Sequence, residues 1–188
     1  MNLEGWRLAL LLVAGVAAAL GFLGLILVRR AERQTGFSLT SAATSVNVVG
    51  SDTGAAPGIL VREPTLGLRG RPDYVLEYGA PNERRLYPLE VKPTRRGQRV
   101  YESDELQVGA YLIALRSTAG ARAGSTGYLR YAAATFRIDL SPDLERRLRD
   151  TVALVRRGRR ALVVHRSHTI RARCAACPVR DHCDERLV

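Results

Sequence analysis

Leu8 to Val28 is a run of 21 residues without a charged side chain, and no other stretch restricts so tightly what the chain can become. At ~1.5 Å rise per residue a helix of that length spans the ~30 Å hydrocarbon layer of a bilayer. A cleaved signal peptide has a shorter apolar region followed by a small-residue cleavage site, whereas this run stops directly at Arg29, Arg30 and Arg33. Residues 1–30 therefore read as an uncleaved transmembrane anchor. Only Glu4, Arg7 and the amino terminus precede the run, so the arginine excess lies on its carboxyl side and places the remainder of the chain in the cytoplasm. The expectation is a single-pass protein of the cell membrane with a cytoplasmic globular part.

A chain of 188 residues has room for one ordinary core beside such an anchor, and not for two full domains. Its net charge of +11 exceeds what solubility requires and favours a polyanionic partner, either nucleic acid or an acidic membrane surface. All three cysteines fall within the last fifteen residues, unlike the scattered even set of a secreted disulfide scaffold.

From Thr35 to Gly58 the sequence turns to Ser, Thr, Ala and Gly without usable periodicity, so residues 31–58 read as a flexible linker and the globular domain as 59–188. Ile59 to Arg62 is a short strand. Leu66 to Tyr78 is a second, interrupted by Gly70 and Pro72, and Leu86 to Val91 is a third that forms a hairpin with it across the turn residues Pro81 to Arg84. Ser103 to Ser117 opens with a serine and acids and carries Leu106, Ala110, Ile113 and Ala114 at helical spacing. Tyr128–Tyr131 and Thr135–Leu140 read as strands, and Ser141-Pro142-Asp143 opens a helix to about Arg157. The order β-β-β-α-β-β-α implies an α/β domain with a central mixed sheet flanked by helices.

Chemistry concentrates in Gly70-Arg71-Pro72-Asp73, Leu89-Glu90-Val91-Lys92 and Gln107-Val108-Gly109-Ala110-Tyr111. Glu90 and Lys92 are two apart on a strand and so leave the same face, and the neighbouring hairpin strand can bring Asp73 beside them. Converging carboxylates make a hard oxygen site for Mg²⁺ or Mn²⁺, ions that fill their remaining positions with water and phosphate. Such a site suits phosphodiester hydrolysis, with Lys92 orienting water or offsetting charge in the transition state. Lys92 is the single lysine among 28 arginines, as though a compact ammonium were required at that position. Gln107 and Tyr111, four apart, share one helix face and can brace the carboxylates or touch a substrate backbone.

Gly-x-x-Asp, Glu-x-Lys and Gln-x-x-x-Tyr in this order resemble the RecB-like branch of the PD-(D/E)xK nucleases, most of all the CRISPR-associated Cas four exonucleases, over about Leu66 to Cys183. The resemblance implies a restriction-endonuclease-like core preceded here by one transmembrane helix. It also implies Asp73 and Glu90 as metal ligands, Val91 contributing its backbone carbonyl, Lys92 as the catalytic lysine, and Gln107 and Tyr111 in the helix motif. The implied activity is Mg²⁺- or Mn²⁺-dependent DNA cleavage, as an exonuclease on single strands or ends, in DNA processing, repair or CRISPR-linked defence alongside protein partners. The competing classes are a membrane-tethered DNA-binding module that is catalytically weak or inactive, and a membrane-surface scaffold whose arginines meet anionic lipid.

Cys174, Cys177 and Cys183 form C-x2-C-x5-C, a spacing that can gather three thiolates around a soft metal or cluster. In the resembled family such a triad holds a [4Fe-4S] cluster with a fourth, distant cysteine. No cysteine precedes Cys174, and the only histidines are His165, His168 and His182, so the family's upstream metal-site histidine is absent too. His168 and His182 are candidate fourth ligands, zinc is the alternative metal, and three free thiols are the remaining reading.

Overall fold

The computed structural model describes residues 46–52, 57–80 and 82–187. The expected anchor lies outside these residues, as does the linker as far as residue 45. No helix among the described residues is long and apolar enough to cross a membrane. The chain divides into two compact units, Met1–Leu148 and Arg149–Val188.

The first unit is built on a five-stranded sheet with the order β1-β4-β5-β6-β7, formed by β1 (Asn47–Ser51), β4 (Tyr74–Tyr78), β5 (Arg85–Lys92), β6 (Thr126–Tyr131) and β7 (Thr135–Asp139). Two short strands, β2 (Val61–Glu63) and β3 (Leu68–Gly70), make a separate antiparallel hairpin. Neighbours in the large sheet are antiparallel except β5 and β6, which run parallel. That exception follows from the connection: helix α1 (Glu102–Ala119) carries the chain from the end of β5 back to the start of β6, and a crossover of that kind returns a strand in the same direction. The α/β class with a mixed sheet flanked by helices is as expected, and the topology is consistent with a restriction-endonuclease-like core.

Strand alternation sorts the core into two faces. Val75 and Leu86 pack with Ala114 and Leu115 of α1, and Leu129 and Tyr131 pack with its Val108 and Leu112, together with Leu144 at the start of α2 (Pro142–Arg160). The intervening residues Tyr74, Leu76 and Leu89 form a second cluster on the other face, with the half-buried Tyr78, Tyr87, Val91 and Tyr128. A Cβ on Gly109 would sit 3.2 Å from Leu144 Cγ, so the glycine lets Leu144, in the first turn of α2, approach α1 closely.

Three sequence expectations change. Asn47–Ser51 is a strand paired with β4, although it falls within the stretch read as linker. A register shift between Val48 and Gly50 breaks its alternation, which removes the period that marks a strand. Leu66–Tyr78 is two strands rather than one, because the buried Pro72 cannot donate to a ladder and the chain passes from the small hairpin to the sheet at that point. On α1 the fully buried line is Val108, Leu112 and Leu115, while Leu106 and Ala110 are only half-buried. The helix is apolar on most sides from Leu106 to Leu115, so its period does not point to one face.

In the second unit, a short helix α3 (Arg171–Ala175) is followed by a single turn at Arg180–His182. Glu185 ties this tail to the preceding segment. Its carboxylate meets His165 Nδ1 at 2.5 Å and accepts from the Arg166 N–H at 2.8 Å, and its carbonyl accepts from Arg166 Nε at 2.8 Å.

Candidate active site

The end of β5 presents Glu90 and Lys92 on the α1 side of the sheet, opposite the face on which Leu89 and Val91 pack. Glu90 is 5% exposed. Its Oε1 accepts two hydrogen bonds, from Lys92 Nζ and Gln107 Nε2, each at 2.7 Å. Its Oε2 is buried with no hydrogen-bond partner among the described residues. Burial pushes the Glu90 carboxyl above the ordinary range and the nearby charge of Asp73 adds to this, while the Lys92 hydrogen bond opposes it. For Lys92, burial pulls downward, but the hydrogen bond and charge of Glu90 outweigh it, with Asp104 and Asp73 assisting, and the amine stays above its usual value. Lys92 is thus an ammonium at neutral pH.

Asp73 stands one residue before β4. The antiparallel register ends at the pair Tyr74–Leu89, which leaves Asp73 beside the end of β5, close enough for its charge to act on Glu90. Its Oδ2 accepts from the Val91 N–H at 2.8 Å, which ties the loop carboxylate to the backbone of the strand carrying Glu90 and Lys92. Val91 therefore contributes its N–H to the site while its side chain belongs to the opposite face.

The helix motif reaches the same place. Gln107 Nε2 also lies 3.0 Å from Tyr111 Oη, and that hydroxyl donates to the Arg71 carbonyl at 3.2 Å. Glu90 offers only acceptors when ionised, which fixes the amide nitrogen toward it. Tyr111 is pushed upward by burial and remains a neutral donor. Gly70 explains the first residue of Gly-x-x-Asp: a Cβ there would lie 2.8 Å from Tyr111 Cε1. Its φ is not positive, so the glycine supplies space for the ring rather than a left-handed turn. The chain Glu90–Gln107–Tyr111–Arg71 holds the loop before Asp73 against α1. The five residues that the sequence marks as the site, Asp73, Glu90, Lys92, Gln107 and Tyr111, thus meet in one network.

Sequence reasoning missed a neighbouring cluster. Asp104, 4% exposed, accepts from the Tyr131 hydroxyl at 2.7 Å and pairs with Arg95 Nε at 3.4 Å. The same hydroxyl accepts from the Tyr101 N–H at 3.1 Å, and the Arg95 guanidinium lies 4.3 Å from the Tyr101 ring centroid. A signal was present, since Asp104 precedes Val108 and Leu112 by four and eight positions and so lies in line with the buried stripe. By type and position alone it is only an acid suited to a helix start.

The cysteines do not assemble as a ligand set. Among the described residues no three His, Cys, Asp or Glu side chains are grouped so as to hold a metal ion. Cys174 is buried and its Sγ accepts from the Leu187 N–H at 3.5 Å, whereas Cys177 and Cys183 are half-exposed.

The carboxylate pair is a different kind of donor set. Two acids, one bearing a buried oxygen with no partner, are what a hard divalent ion needs from protein, since water and phosphate oxygens complete its shell. The residues present therefore fit Mg²⁺ or Mn²⁺.

The family profile described as the PD-(D/E)XK nuclease superfamily matches residues 14–184, beginning inside the apolar run. None of the curated proteins matches the chain. Among solved structures, the crystal structure of SSO0001 is similar with a TM-score of 0.40 and 14% identity, over 77% of this chain and 59% of that one. This chain thus spans about three-fifths of that protein's length.

Proposed function

This chain belongs to the PD-(D/E)XK nuclease superfamily, whose members are usually metal-dependent nucleases, and from that premise we propose that it is a DNA exonuclease of the RecB and Cas four type acting on single strands or ends. The observation that carries the reading is the treatment of Glu90. One carboxylate oxygen is doubly hydrogen-bonded, the other is buried and unpartnered, and Asp73 is bonded to the neighbouring Val91 N–H, its charge acting on Glu90. A protein that only bound DNA would gain nothing from the buried oxygen that the Lys92 pair leaves unsatisfied, which costs stability until a further donor or cation meets it.

In the proposed reaction Asp73 and Glu90 would hold the divalent ion, and the resemblance implies that the Val91 carbonyl would join them. A Mg²⁺ or Mn²⁺ ion bound there supplies positive charge against the phosphate oxygens and favours ionised water at neutral pH. Lys92, an ammonium held by Glu90, donates toward the phosphate as negative charge develops during attack of water and cleavage of the P–O bond. Gln107 and Tyr111 fix the rotamer of Glu90 and the loop before Asp73, so that the acids are in place before substrate arrives.

We propose further that residues 1–30 tether the nuclease to the membrane with its domain, 59–188 together with the strand Asn47–Ser51, in the cytoplasm. Partition of the full chain with carbonate-washed membranes supports the tether, and recovery in the aqueous fraction removes it. On spacing alone, Cys174, Cys177 and Cys183 are kept as a soft-metal site, iron–sulfur or zinc, that requires the three thiols to converge. Elemental content of anaerobically purified protein decides between iron, zinc and neither. The nuclease reading is tested with labelled single-stranded and duplex DNA and the full chain, with and without Mg²⁺ or Mn²⁺. Ion-dependent release of nucleotides from ends supports it, and tight binding without cleavage by any ion would leave the inactive DNA-binding module instead.

A further inference from the structure

Between the catalytic strand and α1 runs a loop, residues 93–101, whose two ends are fastened and whose middle is not. At the near end the Arg95 N–H donates to the Lys92 carbonyl at 3.1 Å, closing a turn directly behind the lysine. The Arg95 carbonyl accepts from the Ala132 N–H at 2.9 Å, which joins the loop to the chain just beyond β6. The Arg95 side chain pairs with the buried Asp104 and lies over the Tyr101 ring. At the far end the Tyr101 N–H donates to the Tyr131 hydroxyl, itself bonded to Asp104. One buried carboxylate therefore organises both anchor points.

Arg96 and Arg99 lie between them. Both are exposed, and neither makes a hydrogen bond or ion pair among the described residues. This sets them apart from Arg84, Arg95, Arg116, Arg122, Arg137 and Arg147, each of which has an acidic partner. Four residues of chain reach at most about 14 Å, so Arg96 stays within a few nucleotides of a phosphate at Lys92, given ~3.4 Å per nucleotide along a strand. Two uncommitted guanidiniums on a loop fastened this close to the reaction centre are suited to phosphate oxygens, which they can grip in a fork.

We propose that residues 93–101 are a phosphate strap, in which Arg96 and Arg99 bind the backbone of the DNA strand flanking the scissile bond and Asp104, through Arg95 and Tyr131, is the positioning residue. The proposal rests on the nuclease reading and names how its site grips substrate. Because the contacts are to phosphate, they are blind to sequence and equally strong before and during reaction, so they act on KM rather than kcat.

The test uses the full chain carrying Glu90→Gln, so that DNA is bound without being cut, and a labelled oligothymidylate titrated at several salt concentrations. Arg96→Ala with Arg99→Ala should lower the slope of log affinity against log salt by about 1.4, two contacts at ~0.7 each, and weaken binding roughly tenfold at ~0.15 M salt. Arg96→Lys with Arg99→Lys should restore most of the slope. In the active chain the alanine pair should raise KM with kcat nearly unchanged. An unchanged slope, or an equal loss from the control pair Arg157→Ala with Arg159→Ala, would overturn the strap. Cleavage by the unaltered chain is scored separately: cleavage with an unchanged slope fails the strap alone, and a changed slope without cleavage fails the nuclease reading alone.

Discussion

Replacing Gly70 with alanine adds one methyl group, and the structure says where it goes. The new Cβ would lie 2.8 Å from Tyr111 Cε1, 3.6 Å from Cδ1 and 3.8 Å from Cζ. The ring cannot swing away freely, because its hydroxyl is held by the Arg71 carbonyl and Gln107. Overpacking of this kind costs about 1–3 kcal/mol, and at ~2–4 °C per kcal/mol the melting temperature should fall by roughly 2–12 °C. The functional loss should be larger in proportion, since the displaced ring positions Gln107 against Glu90 and the loop before Asp73; a shift near 1 Å can cost about 10²-fold in rate. A double-mutant cycle isolates the cause. In a Tyr111→Ala background, where the ring is gone, Gly70→Ala should cost nearly nothing in stability, so the coupling energy should equal most of the single-variant cost. Thermal unfolding and kcat/KM of the four proteins give the cycle. An undiminished Gly70→Ala penalty without the ring would show that the glycine serves its own backbone, and the account of Gly-x-x-Asp as space for the ring would fail.

Glu90→Gln removes a buried charge with an unpartnered oxygen, so without divalent ions this variant should melt above the unaltered protein, and added Mn²⁺ should stabilise only the latter; a lower melting temperature in metal-free buffer would contradict the reading of Oε2. Tyr131→Phe should destabilise by about 1–3 kcal/mol in denaturant titration, because it deprives buried Asp104 of its hydroxyl donor and the Tyr101 N–H of its acceptor, and a neutral result would mean water replaces both. Lys92→Arg should leave DNA binding within a fewfold and lower kcat by at least about 10²-fold, since a planar guanidinium cannot take the short reach of the ammonium to Glu90; wild-type turnover would end the argument for a compact cation.

Much of this site was legible because two local periods are rigid. A strand's period of two forces Glu90 and Lys92 onto one face, and a helix's i,i+4 neighbours force Gln107 and Tyr111 together, whatever the rest of the fold does. The hairpin of β4 and β5, read from alternation and turn residues, then brought Asp73 to the Val91 N–H beside Glu90. What escaped depends on contacts distant in sequence. The edge strand at Asn47–Ser51 has a broken register and is defined by its pairing with β4. Asp104 looked like an ordinary first-turn acid, and only the arrival of Tyr131, 27 residues later, makes it a buried acceptor. Gly70 is an ordinary glycine until the Tyr111 ring, from another element, occupies the space where its side chain would be.

Asp73, Glu90 and Lys92 are proposed to form a centre for ion-dependent DNA cleavage, and the decisive comparison sets the unaltered full chain against Glu90→Gln on end-labelled single-stranded DNA, with cleavage and binding measured in parallel. Product should form only with Mg²⁺ or Mn²⁺, the variant should lose at least about 10²–10³-fold in rate, and its affinity for DNA should stay within a fewfold. Cleavage by Glu90→Gln at the unaltered rate, or cleavage that persists undiminished in excess chelator, would contradict the proposal.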